Sequence, residues 1–133
     1  MDCIFCAIET GAAPSHPVYE DPHAIAFMDI NPVVSGHVLV VPRRHMTDLY
    51  GLGEHEAGPY MTAVSRVAHM VNKALAPDGL NLFQSNGVAA WQSVFHLHVH
   101  VLPRRHGDEL SIPGTPGDHQ ELARLAAAIR SVE

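Results

Sequence analysis

Short apolar runs bounded by turn residues divide most of the chain into predicted β-strands. Runs of this kind, closed by Gly, Pro, Asn or Asp, are typical of strands rather than helices. Pro42, for example, ends the run that begins at His37. The pattern predicts strands over residues 17–20, 24–29, 37–41, 80–85 and 94–102.

Two longer segments repeat apolar residues every three to four positions, as an amphipathic helix does. One runs from about residue 56 to 75 and leaves His69 off its apolar face; the other follows Asp118, a helix-capping residue with Glu121 three positions on. The predicted apolar faces are Met61, Val64, Ala68, Val71 and Leu75, and then Leu122, Leu125, Ala126 and Ile129. Together the elements predict an α+β fold, with a mainly antiparallel sheet of about five strands and the long helix packed on it.

Histidines alternate with aliphatic residues in the last predicted strand. Successive side chains of a strand point to opposite faces, so His96, His98 and His100 are expected on one face. The residues expected on the other face, against a core, are Phe95, Leu97, Val99 and Val101. Neutral imidazole can act as a nucleophile, a base or a metal ligand near neutral pH. Three imidazoles lined up in this way therefore predict a chemical site rather than three unrelated surface histidines.

The composition fits one globular domain and argues against two classes of partner. The chain has 133 residues, 47% of them hydrophobic and 17% charged, and no repeat or linker divides it. It has no apolar run of membrane-spanning length, and Met1-Asp2-Cys3 does not begin a signal peptide, so we expect a cytoplasmic protein without a membrane partner. A formal net charge of −6 argues against nucleic acid as a partner, although the clusters Arg43-Arg44-His45 and Arg104-Arg105-His106 can meet phosphate locally.

The only two cysteines, Cys3 and Cys6, form a C-x-x-C pair. The pair is compatible with redox chemistry, with half of a metal site, or with two small buried residues. A redox pair usually follows a strand, and this one stands at the start of the sequence. A zinc site needs two further nitrogen or sulfur ligands, and the chain has eleven histidines to supply them. The residues alone leave these alternatives open.

The segment Gln92-Ser93-Val94-Phe95-His96-Leu97-His98-Val99-His100-Val101-Leu102-Pro103-Arg104 resembles the signature of the histidine-triad (HIT) family of nucleotide-binding proteins. Residues 3–8 with 18–21, residues 26–32 and residues 36–45 resemble other parts of the family, in the same order. The resemblance covers residues 3–104, whereas the C-terminal loop and helix, 105–133, carry no family signature. It implies a single HIT-like domain over residues 1–133, of the zinc-containing bacterial type, in a homodimer whose sheet continues across the interface.

The resemblance also implies an activity. The expected reaction is hydrolysis or transfer at the α-phosphate of a purine nucleotide, either a nucleoside phosphoramidate or a dinucleoside polyphosphate, through a nucleotidyl-histidine intermediate. His98 would be the nucleophile, His100 would contact the phosphate and assist the leaving group, and His37 would back the nucleophile in a hydrogen-bond chain. Gln92 and Ser93 would lie along the path of the phosphates, which places Ser93 among the catalytic candidates.

Most of the nucleotide-binding residues that the resemblance implies are apolar. Asp29 would accept hydrogen bonds from the ribose hydroxyls, although it also suits a turn before Asn31-Pro32. Ser85 stands where family members commonly have Asn, and Asn86 follows it, so both are candidates. The residues that would enclose the base are Ile4, Phe5, Ile8, Phe27 and Ile30. Without the resemblance these five residues would be assigned to the core.

For the metal, the resemblance places a structural Zn²⁺ on Cys3, Cys6, His45 and His96. A site with four protein ligands has no open position for chemistry. A hypothesis that ignores the resemblance instead gives His96, His98 and His100 to a catalytic zinc with an open position. The C-x-x-C pair argues against it, because the closed site uses only one histidine of the triad.

Trp91 departs from the family, whose members usually have Gly immediately before the residue that corresponds to Gln92. A small residue there lets a backbone amide approach the phosphate, so a tryptophan either narrows the leaving-group side of the pocket or points outward. A nucleotide-binding module with negligible turnover is therefore the alternative to an enzyme. The sequence does not indicate the leaving group, the preferred base, the pathway or the role of residues 105–133.

Overall fold

The computed structural model describes residues 3–132, which contain five strands, three α-helices and two short 3₁₀ helices. The strands are β1 (Pro17–Glu20), β2 (Ala24–Met28), β3 (Val38–Pro42), β4 (Gly79–Phe83) and β5 (Val99–Arg104). The helices are α1 (Ile4–Glu9), α2 (Glu54–Leu75) and α3 (His119–Arg130), and the 3₁₀ helices are Leu49–Gly51 and Val88–Ala90. Residues 1, 2 and 133, which the expected domain includes, lie outside the described part.

The five strands form one sheet in the order β1-β2-β3-β5-β4. All four neighbouring pairs are antiparallel, which confirms the predicted α+β fold with an antiparallel sheet. Asp21 makes the first turn, because its Oδ1 accepts hydrogen bonds from the N–H groups of His23 at 2.7 Å and Ala24 at 2.8 Å. β4 lies at one edge of the sheet.

The two faces of the sheet bury different kinds of neighbour. On one face α2 and α3 pack over the main core, where Tyr60 also donates a hydrogen bond to the Val40 carbonyl at 2.7 Å. On the other face α1 lays Phe5 over a smaller cluster: Ile25, Phe27, Leu39 and Val41. Fully burying a side chain of this size stabilises the fold by roughly 1.5–3 kcal/mol. The smaller cluster therefore holds a short helix beside the sheet, on the face where the histidines lie.

The strand predicted over residues 94–102 begins only at Val99, so this prediction was wrong for its first half. β3 and β5 pair Val38 with Val101 and Val40 with Val99. In the same register the next positions reach Pro42, which has no N–H to donate to a ladder. The Leu97 N–H donates instead to the Met46 carbonyl at 2.8 Å. His96 and His98 thus lie before the strand and only His100 within it.

Two residues that were predicted for the core are exposed. Phe95 is 45% exposed, and Met61 is 53% exposed because the buried stripe of α2 is shifted by one residue. That stripe is Tyr60, Ala63, Val64, Val67 and Val71. The stripe predicted for α3 is confirmed, since its four residues are buried and Asp118 caps the helix by accepting from the Gln120 N–H. Within residues 3–132, no helix has the length and apolarity needed to cross a membrane.

Candidate functional site

A hydrogen-bonded histidine pair begins next to β3. The Val33 N–H donates to His37 Nδ1 at 3.1 Å, and His37 Nε2 lies 2.8 Å from His100 Nδ1. A backbone N–H can only donate, so His37 accepts at Nδ1 and carries its proton at Nε2. It donates this proton to His100, which in its neutral form then carries a proton at Nε2. We call Val33, His37 and His100 the relay.

His98 is held by a different partner. Its Nδ1 lies 2.7 Å from the carbonyl oxygen of His96, which can only accept, so the ring carries its proton at Nδ1. Its Nε2 therefore keeps a lone pair. The ring is 8% exposed and stands edge-on to His100, with 4.8 Å between ring centroids. This arrangement leaves one basic nitrogen next to a donor, as a nucleophilic histidine requires.

Burial keeps the three imidazoles neutral. It lowers the pKa of His37 to about 3, helped by the nearby His100 and His98, and lowers the pKa of His100 to about 4, helped by His98. It also lowers the pKa of His98, against the opposing effect of its hydrogen bond to the His96 carbonyl. A neutral ring is the nucleophilic form, so the site has its reactive protonation state at neutral pH.

Asp29 follows β2 and faces the relay. Its Oδ1 accepts from the Asn31 N–H at 2.8 Å, and its Oδ2 lies 3.4 Å from His37 Nε2. Burial raises the pKa of this carboxyl, and the hydrogen bond from Asn31 opposes that rise. Asp29 thus closes a turn, one of its two expected roles, and keeps Oδ2 at the site, where its contact with the ribose stays a prediction.

The apolar candidates fall into a buried pair and an accessible group. Phe5 and Phe27 are buried and meet edge-to-face at 5.4 Å between centroids. Ile8 packs partly buried against the same cluster, whereas Ile4 and Ile30 are each 51% exposed. The buried pair therefore forms a fixed wall, and the isoleucines have surface to offer a ligand.

The loop between β4 and His98 is tied down by side-chain amides. Gln92 is buried; its Oε1 accepts from the Gly87 N–H at 2.7 Å, and its Nε2 donates to the carbonyls of Thr47 at 2.6 Å and Val94 at 3.1 Å. Both amide hydrogens are thus used inside the protein. Ser93, the next residue, is exposed.

Asn86 braces the same loop, and Ser85 beside it is half-buried. Asn86 Oδ1 accepts from the Leu49 N–H at 2.8 Å, and its Nδ2 donates to Gln84 Oε1 at 2.8 Å. Trp91 has a φ of +74°, a left-handed conformation that favours glycine, and its side chain is 72% exposed. The tryptophan therefore keeps the backbone shape that glycine provides and directs most of its ring into solvent.

The four predicted metal ligands converge, and we call them the metal cluster. His96 Nδ1 lies 3.3 Å from Cys3 Sγ, 3.5 Å from Cys6 Sγ and 3.1 Å from His45 Nδ1, and Cys6 Sγ lies 3.4 Å from His45 Nδ1. All four donor atoms lie within 4.8 Å of one another. A zinc tetrahedron with typical bond lengths has S–N and N–N edges of roughly 3.3–3.6 Å. The cluster can therefore hold a metal ion of this kind.

The neighbours of His96 orient it for that task. Its Nε2 lies 2.8 Å from the Pro42 carbonyl, so this nitrogen carries the proton and Nδ1 is left to face the cysteines. The Cys6 N–H donates to Cys3 Sγ at 3.4 Å, which favours a thiolate there. The imidazoles of His96, His98 and His100 thus face three different partners, and this argues against a zinc shared by the triad.

Two supports of the relay were not predicted from the sequence. One is the backbone N–H of Val33, which has no side-chain signal. The other is the C-terminal loop, where the Ser111 N–H donates to the Val33 carbonyl and the Gly117 N–H to the Ile30 carbonyl, both at 2.8 Å. A Cβ on Gly114 would lie 1.8 Å from the Asn31 carbonyl oxygen, so only glycine allows this close approach. The loop therefore packs directly on the segment that supports His37.

A separate cavity of about 1070 Å³ lies on the opposite side of the molecule. Its lining includes Tyr19 of β1, Met70 of α2 and Arg130 of α3, and none of the residues of the relay or the metal cluster. The chemical groups and this cavity are thus on different surfaces.

Comparisons with known proteins identify a family for most of the chain. The HIT domain family matches residues 10–107. Protein hit of Bacillus subtilis is 45% identical over 103 residues, which are 77% of this chain and 71% of that protein. Adenosine 5′-monophosphoramidase hnt1 of Schizosaccharomyces pombe is 33% identical, with 98% of each chain covered. Adenylylsulfatase HINT3 of Arabidopsis thaliana is 35% identical, with 97% of this chain and 68% of that protein covered.

Solved structures share the fold. A Hit-like protein from Bartonella henselae has a TM-score of 0.89 at 38% identity, covering 98% of this chain and 95% of its own. A Zn-bound histidine triad family protein from Mycobacterium smegmatis has a TM-score of 0.83 at 40% identity, covering 97% of this chain and 94% of its own. Sequence and fold together show that the chain belongs to the HIT domain family.

Proposed function

We propose that the protein hydrolyses or transfers nucleotides at the α-phosphate through a nucleotidyl-His98 intermediate. The observation that carries the proposal is the pair of fixed protonation patterns: His98 presents a bare Nε2, and the relay presents His100 with its proton at Nε2. One ring can attack phosphorus while the other donates to the phosphoryl group. The neutral state of both rings supports the assignment.

The proposed reaction has two displacements at phosphorus. First, the Nε2 lone pair of His98 forms a bond to the α-phosphorus, and the leaving group departs with the electron pair of its own bond. An amine protonated beforehand leaves neutral, and a phosphate leaves as an anion. Water then attacks the phosphorus, His98 recovers its lone pair, and the proton of the water passes to solvent. The His100 N–H contributes by holding the phosphoryl oxygens in both steps.

Purine nucleotides are the proposed substrate class. The names of the fission yeast and Arabidopsis relatives, a monophosphoramidase and an adenylylsulfatase, support adenine nucleotide derivatives. We assign the ribose to Asp29 and the base to the wall of Phe5 and Phe27. The isoleucines Ile4, Ile8 and Ile30 would complete the enclosure of the base. Dinucleoside polyphosphates remain a second substrate class that the same attack accommodates.

The loop residues receive more limited roles. We assign the contact with the phosphate path to the exposed Ser93, because the amide hydrogens of Gln92 are already used within the protein. Gln92 then acts by holding the loop that carries Ser93. Asn86 has the same function beside Ser85, through its hydrogen bond to Leu49.

We propose Zn²⁺ as the ion of the metal cluster, which would place the chain in the zinc-containing bacterial branch of the family. Two sulfur and two nitrogen donors suit zinc, and the Zn-bound relative from Mycobacterium smegmatis supports the choice. The ion would cross-link α1 to the segments of His45 and His96 and have no open position. Cysteines used as thiolate ligands also favour a reducing compartment such as the cytoplasm.

We further propose a single domain that forms a homodimer through β4. This strand is the outer edge of the sheet, and its residues Leu82 and Phe83 are 50% and 43% exposed. An unpaired edge with apolar side chains is suited to pairing with a second copy. Light scattering should give a dimer for the wild type and a monomer for Leu82→Glu.

The test of the function is His98→Ala. Alanine cannot accept the nucleotidyl group, so we expect turnover of adenosine 5′-phosphoramidate to fall by at least about a thousandfold, with AMP affinity within about tenfold of wild type. Mass spectrometry of the quenched wild-type reaction should find AMP on the peptide that contains His98.

A His98→Ala variant that keeps more than about a tenth of the wild-type rate would overturn the covalent mechanism. A wild type that binds AMP but shows no steady-state turnover of any nucleotide tested would favour the alternative, a binding module.

A further inference from the structure

α1 is too short to fix its own position. It has six residues, and an isolated helix of this length is unstable in water. Its only buried residue is Phe5, which stands between Cys3, the N-cap, and Cys6. The helix is therefore located by contacts with the rest of the fold: the buried ring of Phe5, the partly buried Ile8, the Glu9 carboxylate, which accepts from Arg43 at 3.1 Å, and the two thiols of the metal cluster.

Phe5 contacts one histidine of the metal cluster and also His98. Its ring stands edge-on to His96 of the metal cluster at 5.9 Å and to His98 at 5.1 Å between centroids. Phe27 meets the same ring edge-to-face at 5.4 Å between centroids. A displacement of α1 would therefore move the ring that packs against His98.

A second connection runs through His96. Its ring joins the metal cluster through Nδ1, while its carbonyl accepts the hydrogen bond that fixes the proton of His98 on Nδ1. If that bond loosened, His98 would be free to turn or to carry its proton on Nε2. Either change would remove the lone pair that the attack requires.

We propose that the metal cluster, when it holds its ion, fixes the orientation and tautomer of His98, with Phe5 and the His96 carbonyl as the two connections. The proposal rests on the proposed function only in the use made of the His98 lone pair. Phe5 is then a positioning residue, in addition to any contact with the base. The ion takes no part in the chemistry itself.

The test is a long-range ¹H–¹⁵N spectrum of the histidine rings at neutral pH. The zinc-loaded protein should show His98 as one tautomer, protonated at Nδ1. After zinc is removed with a chelator, the His98 nitrogens should move toward averaged shifts. The His37 nitrogens should stay unchanged, because His37 is oriented by Val33 rather than by the cluster. Unchanged His98 shifts in folded, zinc-free protein would overturn the proposal.

A variant covers the case in which zinc removal unfolds the protein. Zinc-loaded Phe5→Leu should show the same averaging of His98, and its kcat should fall about tenfold, by more than its AMP affinity. Ile25→Val is the matched control, since it removes apolar volume from the same cluster at a residue outside the proposed site, and it should keep the single tautomer. A Phe5→Leu protein with a wild-type His98 spectrum would also overturn the proposal.

These outcomes separate the two proposals. If His98 responds to zinc and to Phe5→Leu in a protein without turnover, the connection stands and the proposed function fails. If AMP is found on His98 but its tautomer ignores both zinc and Phe5, the connection alone fails.

Discussion

The metal cluster and the relay both depend on pairs of imidazoles, and they use them in opposite ways. In the cluster, Nδ1 of His45 and Nδ1 of His96 face each other at 3.1 Å. In the relay, Nε2 of His37 faces Nδ1 of His100 at 2.8 Å, and the proton order is set from one end by the Val33 N–H. In His96 and in His37 the partner of the other ring nitrogen decides the role of the facing one. The facing nitrogen of His96 keeps a lone pair that a metal can use, whereas the facing nitrogen of His37 carries a proton that it donates to His100.

The comparison predicts different consequences of damage. Loss of the cluster removes a cross-link between α1 and two distant segments, so its main effect should be on folding. Loss of the relay leaves the packing in place and removes an ordered proton, so its main effect should be on rate. His98 lies between the metal cluster and the relay, so damage to either group should affect it.

Among the variants that distinguish the relay from the metal cluster, His37→Gln is expected to have the largest effect on rate. Glutamine replaces the rigid ring of His37 with a flexible amide, so the donor that keeps the His100 proton on Nε2 is no longer held in place, and we expect kcat/KM for adenosine 5′-phosphoramidate to fall about a hundredfold. The change should leave zinc content unaltered. His69→Gln is the control. His69 is exposed on α2, and its hydrogen-bond partner is the Ser65 carbonyl of the same helix. A His37→Gln rate within about threefold of wild type would contradict the relay.

The metal cluster is tested by the double variant Cys3→Ser/Cys6→Ser. We expect zinc, present at about one equivalent per chain in the wild type, to be lost, and the Tm to fall by on the order of 10 °C. Turnover by the folded fraction should fall by about tenfold at most, because the only part of the proposed site that the loss affects is the orientation of His98. Metal analysis and calorimetry check the first two points. Retained zinc, or an unchanged Tm, would show that these thiols are not ligands.

Acid should destabilise the relay in a defined pH range. The folded pKa values of His37 and His100, about 3 and 4, lie below the ordinary value of 6.5, so the unfolded chain binds more protons between these limits. Stability therefore rises with pH across this range and is lost as pH falls from 6.5. Between pH 6.5 and 5 we expect a loss of about 1 kcal/mol or more from the pair. Urea titrations should show a flatter pH dependence for His37→Gln, measured against wild type with equal zinc content.

The smallest effect is expected for Trp91→Gly. The left-handed backbone of Trp91 costs a non-glycine residue about 1–2 kcal/mol, so glycine should raise the Tm by a few degrees. Because the ring is mostly exposed, we expect the ratio of kcat/KM for large and small leaving groups to change less than about threefold. A larger change in that ratio would mean that the ring folds over the leaving group when substrate binds. The fluorescence of this single tryptophan would report such a movement directly.

The sheet and α3 were predictable because their patterns depend on burial alone. The alternation from Leu97 to Val101 correctly predicted which side chains enter the main core, since Leu97, Val99 and Val101 all belong to it. The start of β5 was not predictable from that segment, because it depends on Pro42 in another strand. α1 was missed for a similar reason: six residues with one buried side chain carry little periodicity, and the helix depends on contacts with distant residues.

The site shows the same limit. The resemblance to the HIT family, rather than spacing alone, predicted the four donors of the cluster, and the structure brings these atoms within 4.8 Å of one another. The resemblance also predicted a hydrogen-bond chain through His37, but the ring that His37 meets is that of His100 and not that of His98. Neither the resemblance nor the residue types indicated that the Gln92 amide donates both of its hydrogens within the protein, to the carbonyls of Thr47 and Val94. A glutamine side chain serves equally as a brace or as a ligand contact, and only its neighbours in space decide between them.

The packing of Gly114 against Asn31 bears on how far the working unit extends along the chain. The family match ends at residue 107, yet the loop that follows holds the backbone from which the Val33 N–H reaches His37. A protein that ended at residue 107 would keep all five strands, the triad and the cysteines. It would lose the loop that packs on the segment of Val33 and so supports the relay. The loop after residue 107 is therefore part of the working unit, because it supports the backbone that orients His37.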